Sequence, residues 1–245
     1  MPTITITGLL GARAREVGMM AADMLGIDYV DQAILVDAAR RLGVPVNVMA
    51  ERDERAATLG QRLASVLRNF LERSAAAGAG DPLMGSSGLE VLLARTYGEM
   101  TGESGATPEI DEARYIETIA SILTELGRRG NIVVIGRGSQ VLLREMPEVL
   151  HCLCIASMKD RVRWVMEREQ LAEPAALARA KEHEKHWSAF HRRFFKVDVY
   201  DPHLYDLVIN SSRLPFETAV KLVATAAHHK EELYRTPGQG GAARP

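Results

Sequence analysis

Five apolar segments of the chain have the length and composition of buried β-strands. Most of them lack the alternation of polar and apolar residues that marks a half-exposed strand, so both faces of their sheet are expected to be covered by helices. Helical patterns fall between these segments, and this alternation predicts a doubly wound α/β fold with a parallel sheet. The five segments are TITIT (3–7), IDYVD (27–31), NIVVIG (131–136), VLHCLCIA (149–156) and YDLVIN (205–210).

The clearest helical pattern runs from about Asp111 to Arg128. Gly127 and Gly130 mark its predicted end. Apolar residues recur at helical spacing along it and form one stripe that is expected to face the core. The stripe consists of Ile116, Ile119, Ala120, Leu123 and Leu126.

The interval between the second and third strands is far longer than a simple crossover needs, so it predicts a mostly helical insertion at about 45–110. A second stripe at helical spacing lies in it; we favour core packing for this stripe, and a subunit interface that would make a homodimer through the insertion is the alternative. Residues 236–245 are rich in glycine and proline and are predicted to be a disordered tail, which leaves 1–235 as a single domain. The second stripe consists of Leu59, Leu63, Val66, Leu67, Phe70 and Leu71.

Composition narrows the choice of partners only slightly. The 245 residues are 47% hydrophobic, which is ample for one core, and the net charge of −2 gives no global attraction to nucleic acid or acidic membranes. The N-terminal residues lack the pattern of a signal peptide, and no apolar run approaches the ~18–20 residues that span a bilayer. We therefore expect no membrane partner and a cytoplasmic location.

The two cysteines, Cys152 and Cys154, lie two positions apart in a predicted strand. Side chains alternate with period two along a strand, so both thiols point to the same face. This spacing favours buried thiols. A metal site is the alternative, but no second pair of cysteines or histidines stands at metal-ligand spacing, and we predict none.

The segment ITITGLLGARAREV (4–17) has the outline of a phosphate-binding loop, because a strand, a glycine turn and a helix start follow one another. Backbone N–H groups and the helix dipole converge at such a turn and bind anions. The template GxxxxGK[ST] is not met, since Arg13, Ala14 and Arg15 replace its glycine, lysine and hydroxyl residue. The loop is either a nucleotide site built differently or a decayed one.

Four further segments carry a resemblance to a known family: LGIDYVDQAIL (25–35), IVVIGRGSQVLL (132–143), ASMKDRVRWVMERE (156–169) and YDLVINSSRL (205–214). In their order and spacing they resemble the cytidylate kinase-like family, whose members are related to the bacterial cytidylate kinases among the nucleoside monophosphate kinases. The resemblance implies a P-loop NTPase-like, three-layer sheet of strand order 2-3-1-4-5. It also implies transfer of the γ-phosphoryl group of ATP to a nucleoside monophosphate, CMP or dCMP among the candidates, with Mg²⁺.

The same resemblance assigns the donor site. That family writes its loop roughly as YGSGGRE, without a Walker lysine, and Gly11, Arg15 and Glu16 match it. Arg15 is then the stand-in for the lysine, while Arg13 and Ala14 replace two glycines. The donor-binding residues implied in this way are Gly8, Gly11, Ala12, Arg13 and Arg15.

For the acceptor, the resemblance implies Asp31 and Arg137, both at the carboxyl ends of predicted strands, where open α/β sheets bind ligands. A helix N-cap is an equally good interpretation of Asp31. Arg137 has glycines on both sides, which suits presentation of a guanidinium fork to phosphate better than a structural salt bridge. Ile135 and Gly138 replace carboxylates of the cytidylate kinase turn DGRD, so a preference for cytosine is not implied.

The basic segment 178–196 matches the lid of nucleoside monophosphate kinases, which closes over the transferring phosphoryl group. We place this lid-like helix at about 174–197; the alternative is a solvated basic face. Arg192 and Arg193 match basic positions of the lid and Arg161 matches an arginine of the preceding helix. With Arg15, these three are the predicted catalytic residues, although Trp187 replaces one lid arginine.

Two functions follow. The first is a phosphotransferase that binds small-molecule nucleotides with ATP and Mg²⁺, and the second is a catalytically inactive kinase-like protein with a nucleotide-binding, regulatory or structural role. Nucleic acid is an unexpected partner, because it would need an aromatic platform beside the basic helix. Only Trp187, Phe190, Phe194 and Phe195 offer one.

Overall fold

The computed structural model describes residues 2–41, 54–76, 93–94 and 112–235. Five strands form one parallel sheet in the order β2-β3-β1-β4-β5, so the predicted order 2-3-1-4-5 with the first strand central is confirmed. Each predicted strand is present within two residues of its predicted ends. The strands are β1 (Thr3–Gly8), β2 (Asp28–Val30), β3 (Ile132–Ile135), β4 (Val149–Ile155) and β5 (Leu207–Asn210).

Helices connect these strands as predicted. Residues 202–204 form a short 3₁₀ turn before β5. The helices are α1 (Ala14–Leu25), α2 (Gln32–Arg41), α3 (Glu54–Ala76), α4 (Glu112–Arg129), α5 (Ser139–Leu142), α6 (Met158–Glu169), α7 (Glu173–Phe195) and α8 (Phe216–Arg235).

The three central strands, β3, β1 and β4, are buried on both faces, which explains why they read as continuous apolar runs, whereas Val208 of the edge strand β5 is exposed. Successive residues of β3 enter different core clusters: Ile132 and Val134 pack with α3 and α4, whereas Val133 packs with α1 and α8. Alternation of side chains along a strand produces this division. The fold is therefore the predicted three-layer α/β arrangement, and α7 joins both layers through buried Trp187 and Phe190.

The predicted stripes belong to the core. In α4, Ile119, Leu123 and Leu126 are buried, and the helix ends at Gly130, which adopts a φ of 64°. Gly127 lies inside the helix rather than at its end.

Within the predicted insertion, α3 places its apolar stripe against α4. Leu63, Val66 and Leu67 are buried in the same cluster as Tyr115, so the core interpretation of these three residues is confirmed. Outside the described residues lie the rest of the insertion, apart from 93–94, and the tail 236–245. Dimerisation through the insertion stays a prediction.

Candidate functional site

A cavity of about 780 Å³ opens where β1 and β3 end. Thr7 and Gly8 of β1 and Gly136 after β3 form its floor, so it lies at the carboxyl edge of the sheet, where ligands bind in open α/β folds. Arginines and carboxylates from several elements surround it, which makes it a polar site suited to an anionic ligand. The charged lining residues are Arg13, Arg15, Arg137, Arg168, Arg179, Glu16, Asp31, Glu169 and Glu182.

The loop between β1 and α1 is closed by its own backbone. The amide of Leu9 donates to the carbonyl of Cys154 at 3.3 Å, and the amide of Ala12 donates to the carbonyl of Leu9 at 2.8 Å. The hydroxyl of Ser211 donates to the carbonyl of Ala12 at 3.0 Å. Ala12, a predicted ligand of the donor phosphates, therefore has its N–H group committed within the loop.

Both glycines of this loop are required by packing. A Cβ atom on Gly8 would lie 2.6 Å from the carbonyl oxygen of Cys154, and one on Gly11 would lie 2.5 Å from that of Arg161. Gly11 also has a φ of 80°, which side-chain-bearing residues rarely adopt. Close approach of β4 and α6 thus explains these glycines without a ligand, and their predicted role in phosphate binding remains a prediction.

Arg13 holds a left-handed conformation, with a φ of 63°, although it carries a side chain. Its guanidinium carbon lies 4.0 Å from the ring centre of Phe216 and 5.5 Å from that of Trp164. In the described part of the chain it makes no salt bridge, and a pairing with Glu16 is not observed. Cation–π contacts thus hold Arg13 beside the cavity.

The N-terminus of α1 faces the cavity through Ala14, Arg15 and Glu16. The first backbone bond of the helix runs from the amide of Val17 to the carbonyl of Arg13, at 3.0 Å. The N–H groups before it have no carbonyl partner within the helix, and the side chain of Arg13 does not cap them. This end of α1 fits a phosphate group, because its free donors and the helix dipole both favour an anion.

Arg15 and Asp31 are joined to each other. Nη2 of Arg15 lies 2.5 Å from Oδ2 of Asp31, and the hydroxyl of Tyr29 donates to the same oxygen at 3.2 Å. Burial would lower the pKa of Arg15, but its contacts with Tyr29 and Asp31 outweigh burial and raise it. Burial, followed by the charge of Asp31, raises the pKa of Tyr29 to about 12, so this hydroxyl remains a donor at neutral pH.

Asp31 is also the N-cap of α2, since its Oδ1 accepts a hydrogen bond from the amide of Ile34 at 3.0 Å. The cap interpretation is therefore confirmed. It is compatible with a role in the site, because Asp31 lines the cavity while its second oxygen holds Arg15.

Arg137 is buried, with 4% of its surface exposed, and it lines the cavity just after β3. Its Nη1 donates to the hydroxyl of Tyr115 at 2.6 Å and its Nη2 to the carbonyl of Leu93 at 3.0 Å. The side chain of Gln32 donates to the carbonyls of Leu93 and Ala94, at 3.4 and 2.9 Å. Arg137 thus fixes the short segment 93–94 at the edge of the cavity.

Arg161 is buried, with only 2% of its surface exposed. Its guanidinium donates to the carbonyls of Leu10 and Ala180 at 2.9 and 3.2 Å and to the carboxylate of Glu184 at 2.6 Å. It does not appear among the described residues that line the cavity. Its predicted contact with the transferring phosphoryl group stays a prediction.

Helix α7 coincides with the predicted lid-like segment, and the phase of the helix decides which of its basic residues reach the cavity. Ala176, Ala180 and Trp187 mark its buried face, and Arg192 and Arg193 are exposed beyond it. Neither exposed arginine lines the cavity in the described structure, so their catalytic role also stays a prediction. The lid residues that do line it are Arg179, Glu182, His183, His186 and Trp187.

The arginines that the sequence interpretation missed, Arg168 and Arg179, both pair with Glu169, at 3.8 and 3.4 Å. Beside them, burial and then the charges of Arg179 and Arg161 lower the pKa of His183 to about 4, so its ring is neutral at pH 7. Helical spacing was the available signal, since Arg179, His183 and His186 recur every three to four residues on one face of α7.

The sequence profile of the Cytidylate kinase-like family matches residues 3–213. The chain belongs to this family. No curated protein sequence matches the chain. The predicted resemblance is thus confirmed over most of the length, and the P-loop kinase-like fold with it.

Solved structures superpose on this chain at low sequence identity. An uncharacterized protein from Eubacterium ventriosum ATCC 27560 superposes with a TM-score of 0.54 at 15% identity, over 93% of this chain and 99% of that chain. For a gluconokinase from Sinorhizobium meliloti 1021 the values are 0.45, 14%, 96% and 96%. For a shikimate kinase from Bacteroides thetaiotaomicron they are 0.43, 12%, 93% and 98%.

In the part of the chain that the structure describes, no group of three histidine, cysteine or acidic residues is placed to hold a metal ion. Cys152 and Cys154 are buried as predicted. Burial raises the pKa of both thiols, that of Cys154 to about 12, so neither is a thiolate at neutral pH.

The four aromatic residues considered as a stacking platform for nucleic acid belong to the hydrophobic core or pack against it. Trp187 and Phe190 of the candidate stacking platform are buried in the core, and Phe194 and Phe195 pack against it. The platform is therefore core packing. Among the described helices, none is long and apolar enough to cross a bilayer.

Proposed function

We propose that this protein is a phosphotransferase that moves the γ-phosphoryl group of ATP to a nucleoside monophosphate or a similar small acceptor that carries a phosphate. The observation that carries the proposal is the shared cavity of Arg15, Arg137 and the uncapped N-terminus of α1. Membership of the Cytidylate kinase-like family supports it. Because the donor and the acceptor both carry phosphate, their transfer reaction needs several separate cationic groups, and this cavity has them.

Each group has a distinct part in this proposal. The N–H groups at the start of α1, with Arg15, hold the donor phosphates, and Arg137 holds the acceptor phosphate. Arg168 and Arg179 also line the cavity and stabilise the charge that develops during transfer of the phosphoryl group. Catalysis by position and charge requires no protein nucleophile.

ATP supplies the phosphoryl group, and Mg²⁺ would arrive with its phosphates, because Mg²⁺ commonly keeps waters and binds through few protein ligands. The uncapped end of α1 fits the phosphates. The ordinary hydroxyl ligand of a phosphate loop has no counterpart, since Arg15 stands in its place.

Arg15 must exchange one anion for another during binding. It now pairs with Asp31, yet half of its side chain, 53%, is exposed. The Asp31 side chain is only 6% exposed, so the pair is open to water on the Arg15 side alone, whereas a phosphate offers that exposed guanidinium a charge of about −2 and several acceptor oxygens. Exchange of Asp31 for phosphate is therefore electrostatically favourable.

A second function is nucleotide binding without transfer. It is favoured because several groups in and beside the loop already have partners within the protein. Arg15 is held by Asp31, Arg13 lies over two aromatic rings, and the amide of Ala12 is used within the loop. A protein that had lost catalysis would keep the cavity and bind nucleotides for regulation.

Acceptor-dependent formation of ADP separates the two functions. The purified chain is mixed with ATP and Mg²⁺ and with CMP, dCMP, other nucleoside monophosphates, sugar phosphates or no acceptor, and ADP is measured by a coupled assay. A phosphotransferase forms ADP only with its acceptor. Binding of nucleotides by calorimetry without any ADP contradicts transfer and supports the second function, and absence of both contradicts each of them.

A further inference from the structure

Arg161 links the loop between β1 and α1, called the phosphate loop in this proposal, to α7, whose residues line part of the cavity. Its Nε donates to the carbonyl of Leu10 in the loop, at 2.9 Å, and its Nη2 to the carbonyl of Ala180 in α7, at 3.2 Å. Its Nη1 donates to Glu184 of α7, at 2.6 Å. One buried side chain thus spans three elements, because Arg161 itself belongs to α6.

The backbone of Arg161 also limits the loop. Gly11 packs so closely on it that a Cβ atom would lie 2.5 Å from the carbonyl oxygen of Arg161 and 2.8 Å from its Cα atom. Leu10 and Gly11 are therefore fixed from two directions by the same residue. The position of the following N–H groups at the start of α1 depends on how these two residues are held.

A carboxylate and a tyrosine extend the linkage away from the cavity. Glu184 accepts from Arg161 with one oxygen and from the hydroxyl of Tyr200, at 2.5 Å, with the other. Burial opposes ionisation of Glu184, but the hydrogen bonds from Arg161 and Tyr200 outweigh it and lower its pKa. Neither Glu184 nor Tyr200 is among the described residues that line the cavity.

We propose that Arg161 is a positioning residue that sets the conformation of the phosphate loop and ties it to α7, with Glu184 and Tyr200 as its support. The guanidinium suits this task because its planar fork donates in several fixed directions at once. The inference rests on the proposed function for the ligand, but the linkage concerns the loop itself. Glu184 and Tyr200 touch no ligand, and they influence phosphate binding through Arg161.

Glu184→Gln and Tyr200→Phe test this linkage without removal of the arginine. Glutamine keeps the size of the side chain and weakens its bond to Arg161, and phenylalanine removes only the hydroxyl that supports Glu184. Glu145→Gln is the matched control, because Glu145 also pairs with an arginine, Arg144, but on an exposed surface. Tyr234→Phe is the control for the tyrosine, since Tyr234 is exposed.

Two measurements are made on each variant of the full chain. The first is the Kd of pyrophosphate by calorimetry, and the second is hydrogen exchange by NMR at the amides of Leu9 and Ala12, which are bonded to Cys154 and Leu9. Glu184→Gln should weaken pyrophosphate binding and accelerate this exchange by about three- to tenfold, and Tyr200→Phe by about twofold; both effects are smaller than the direct loss of a hydrogen bond to a charged group, because both variants act on the loop through Arg161. Both controls should match the native chain.

The outcomes separate a positioning role from a structural one. If Glu184→Gln lowers the melting temperature but leaves the Kd and the exchange at Leu9 and Ala12 unchanged, the proposal is overturned and Arg161 only stabilises the fold. Faster exchange supports the linkage even where the native chain binds no pyrophosphate, and that absence of binding overturns the proposed function instead.

Discussion

Nη2 of Arg15 lies 2.5 Å from Oδ2 of Asp31, so the residue predicted to hold the donor phosphates is paired with the residue predicted to contact the acceptor. Each neutralises the other before a ligand arrives. In the proposed function, a phosphate that enters the cavity competes with Asp31 for Arg15, and this competition limits the affinity of the site for phosphate.

Asp31→Asn should therefore strengthen the binding of pyrophosphate by about two- to fivefold, since it removes the charge that competes for Arg15, in a pair that is exposed on the Arg15 side and contributes about 1 kcal/mol. Asparagine is as good an N-cap as aspartate, so the bond to the amide of Ile34 is kept and α2 remains capped. Calorimetry with pyrophosphate measures the effect. Weaker binding in this variant would mean that Asp31 orients Arg15 toward the ligand rather than withholding it.

Arg137→Ala should weaken the binding of the acceptor monophosphate by about 1.5–3 kcal/mol, the range for a charge-assisted hydrogen bond. Titration calorimetry with the acceptor found in the ADP assay gives the value. Arg144→Ala is the control, because Arg144 is exposed and pairs with Glu145 outside the cavity. Equal affinities for the Arg137 variant and the control would assign Arg137 a structural role alone, through Tyr115 and Leu93.

The stability of the protein should fall in mild acid. Burial is the main cause that lowers the pKa of His151, His183 and His191 to about 4, against an ordinary value near 6.5. In the unfolded chain these three histidines take up protons below about pH 6.5, whereas in the folded chain they take up protons only near pH 4. The contribution of these histidines to the free energy of unfolding is therefore complete above pH 6.5. It falls as the pH is lowered toward 4, by up to about 1.4 kcal/mol per pH unit for each histidine.

Urea unfolding at pH 7, 6, 5 and 4.5 measures this loss. The double variant His228→Gln, His229→Gln should show the same slope as the native chain, because both histidines are exposed. A free energy of unfolding that stays constant between pH 7 and 5 would contradict this prediction, because it would mean that the three buried rings take up protons over the same pH range in the folded and the unfolded chain.

Two substitutions in the loop between β1 and α1 should lower the free energy of unfolding by unequal amounts. Gly11→Ala forces a side chain into a φ of 80° and against the backbone of Arg161, and we expect a loss of about 2–4 kcal/mol in the free energy of unfolding. Arg13→Gly relieves a positive φ but removes the contact with Phe216, so its net effect should stay within about 1 kcal/mol. Denaturant curves compare them, and a similar cost for both would contradict the packing argument for Gly11.

The fold followed from the sequence because a parallel sheet covered on both faces has strands with unbroken apolar runs, as in 131–136 and 149–156. Its strand order came from the resemblance. Gly8 and Gly11 also stood out, but their reason was not visible, because it lies in the close approach of Cys154 and Arg161 from distant parts of the chain.

The site was predicted less completely, since a list of basic residues in α7 does not show which face of the helix meets the cavity. Arg192 and Arg193 were chosen by their match to lid positions, whereas Arg179 and His183 lie on the face that lines it. The phase became clear only from the buried positions Trp187 and Phe190. Tyr115 and Leu93, which accept hydrogen bonds from Arg137, are likewise brought near it by the fold alone.

The most direct test of the account is the rate of acceptor-dependent ADP formation in the native chain, in Arg15→Ala and in Arg144→Ala. If Arg15 replaces the lysine of the phosphate loop, its loss should lower the rate by roughly ten- to a thousand-fold, as for removal of one preorganised charge stabiliser. Arg144→Ala should retain the native rate. A measurable native rate that Arg15→Ala leaves unchanged, or no transfer to any phosphate-bearing acceptor, would contradict the account.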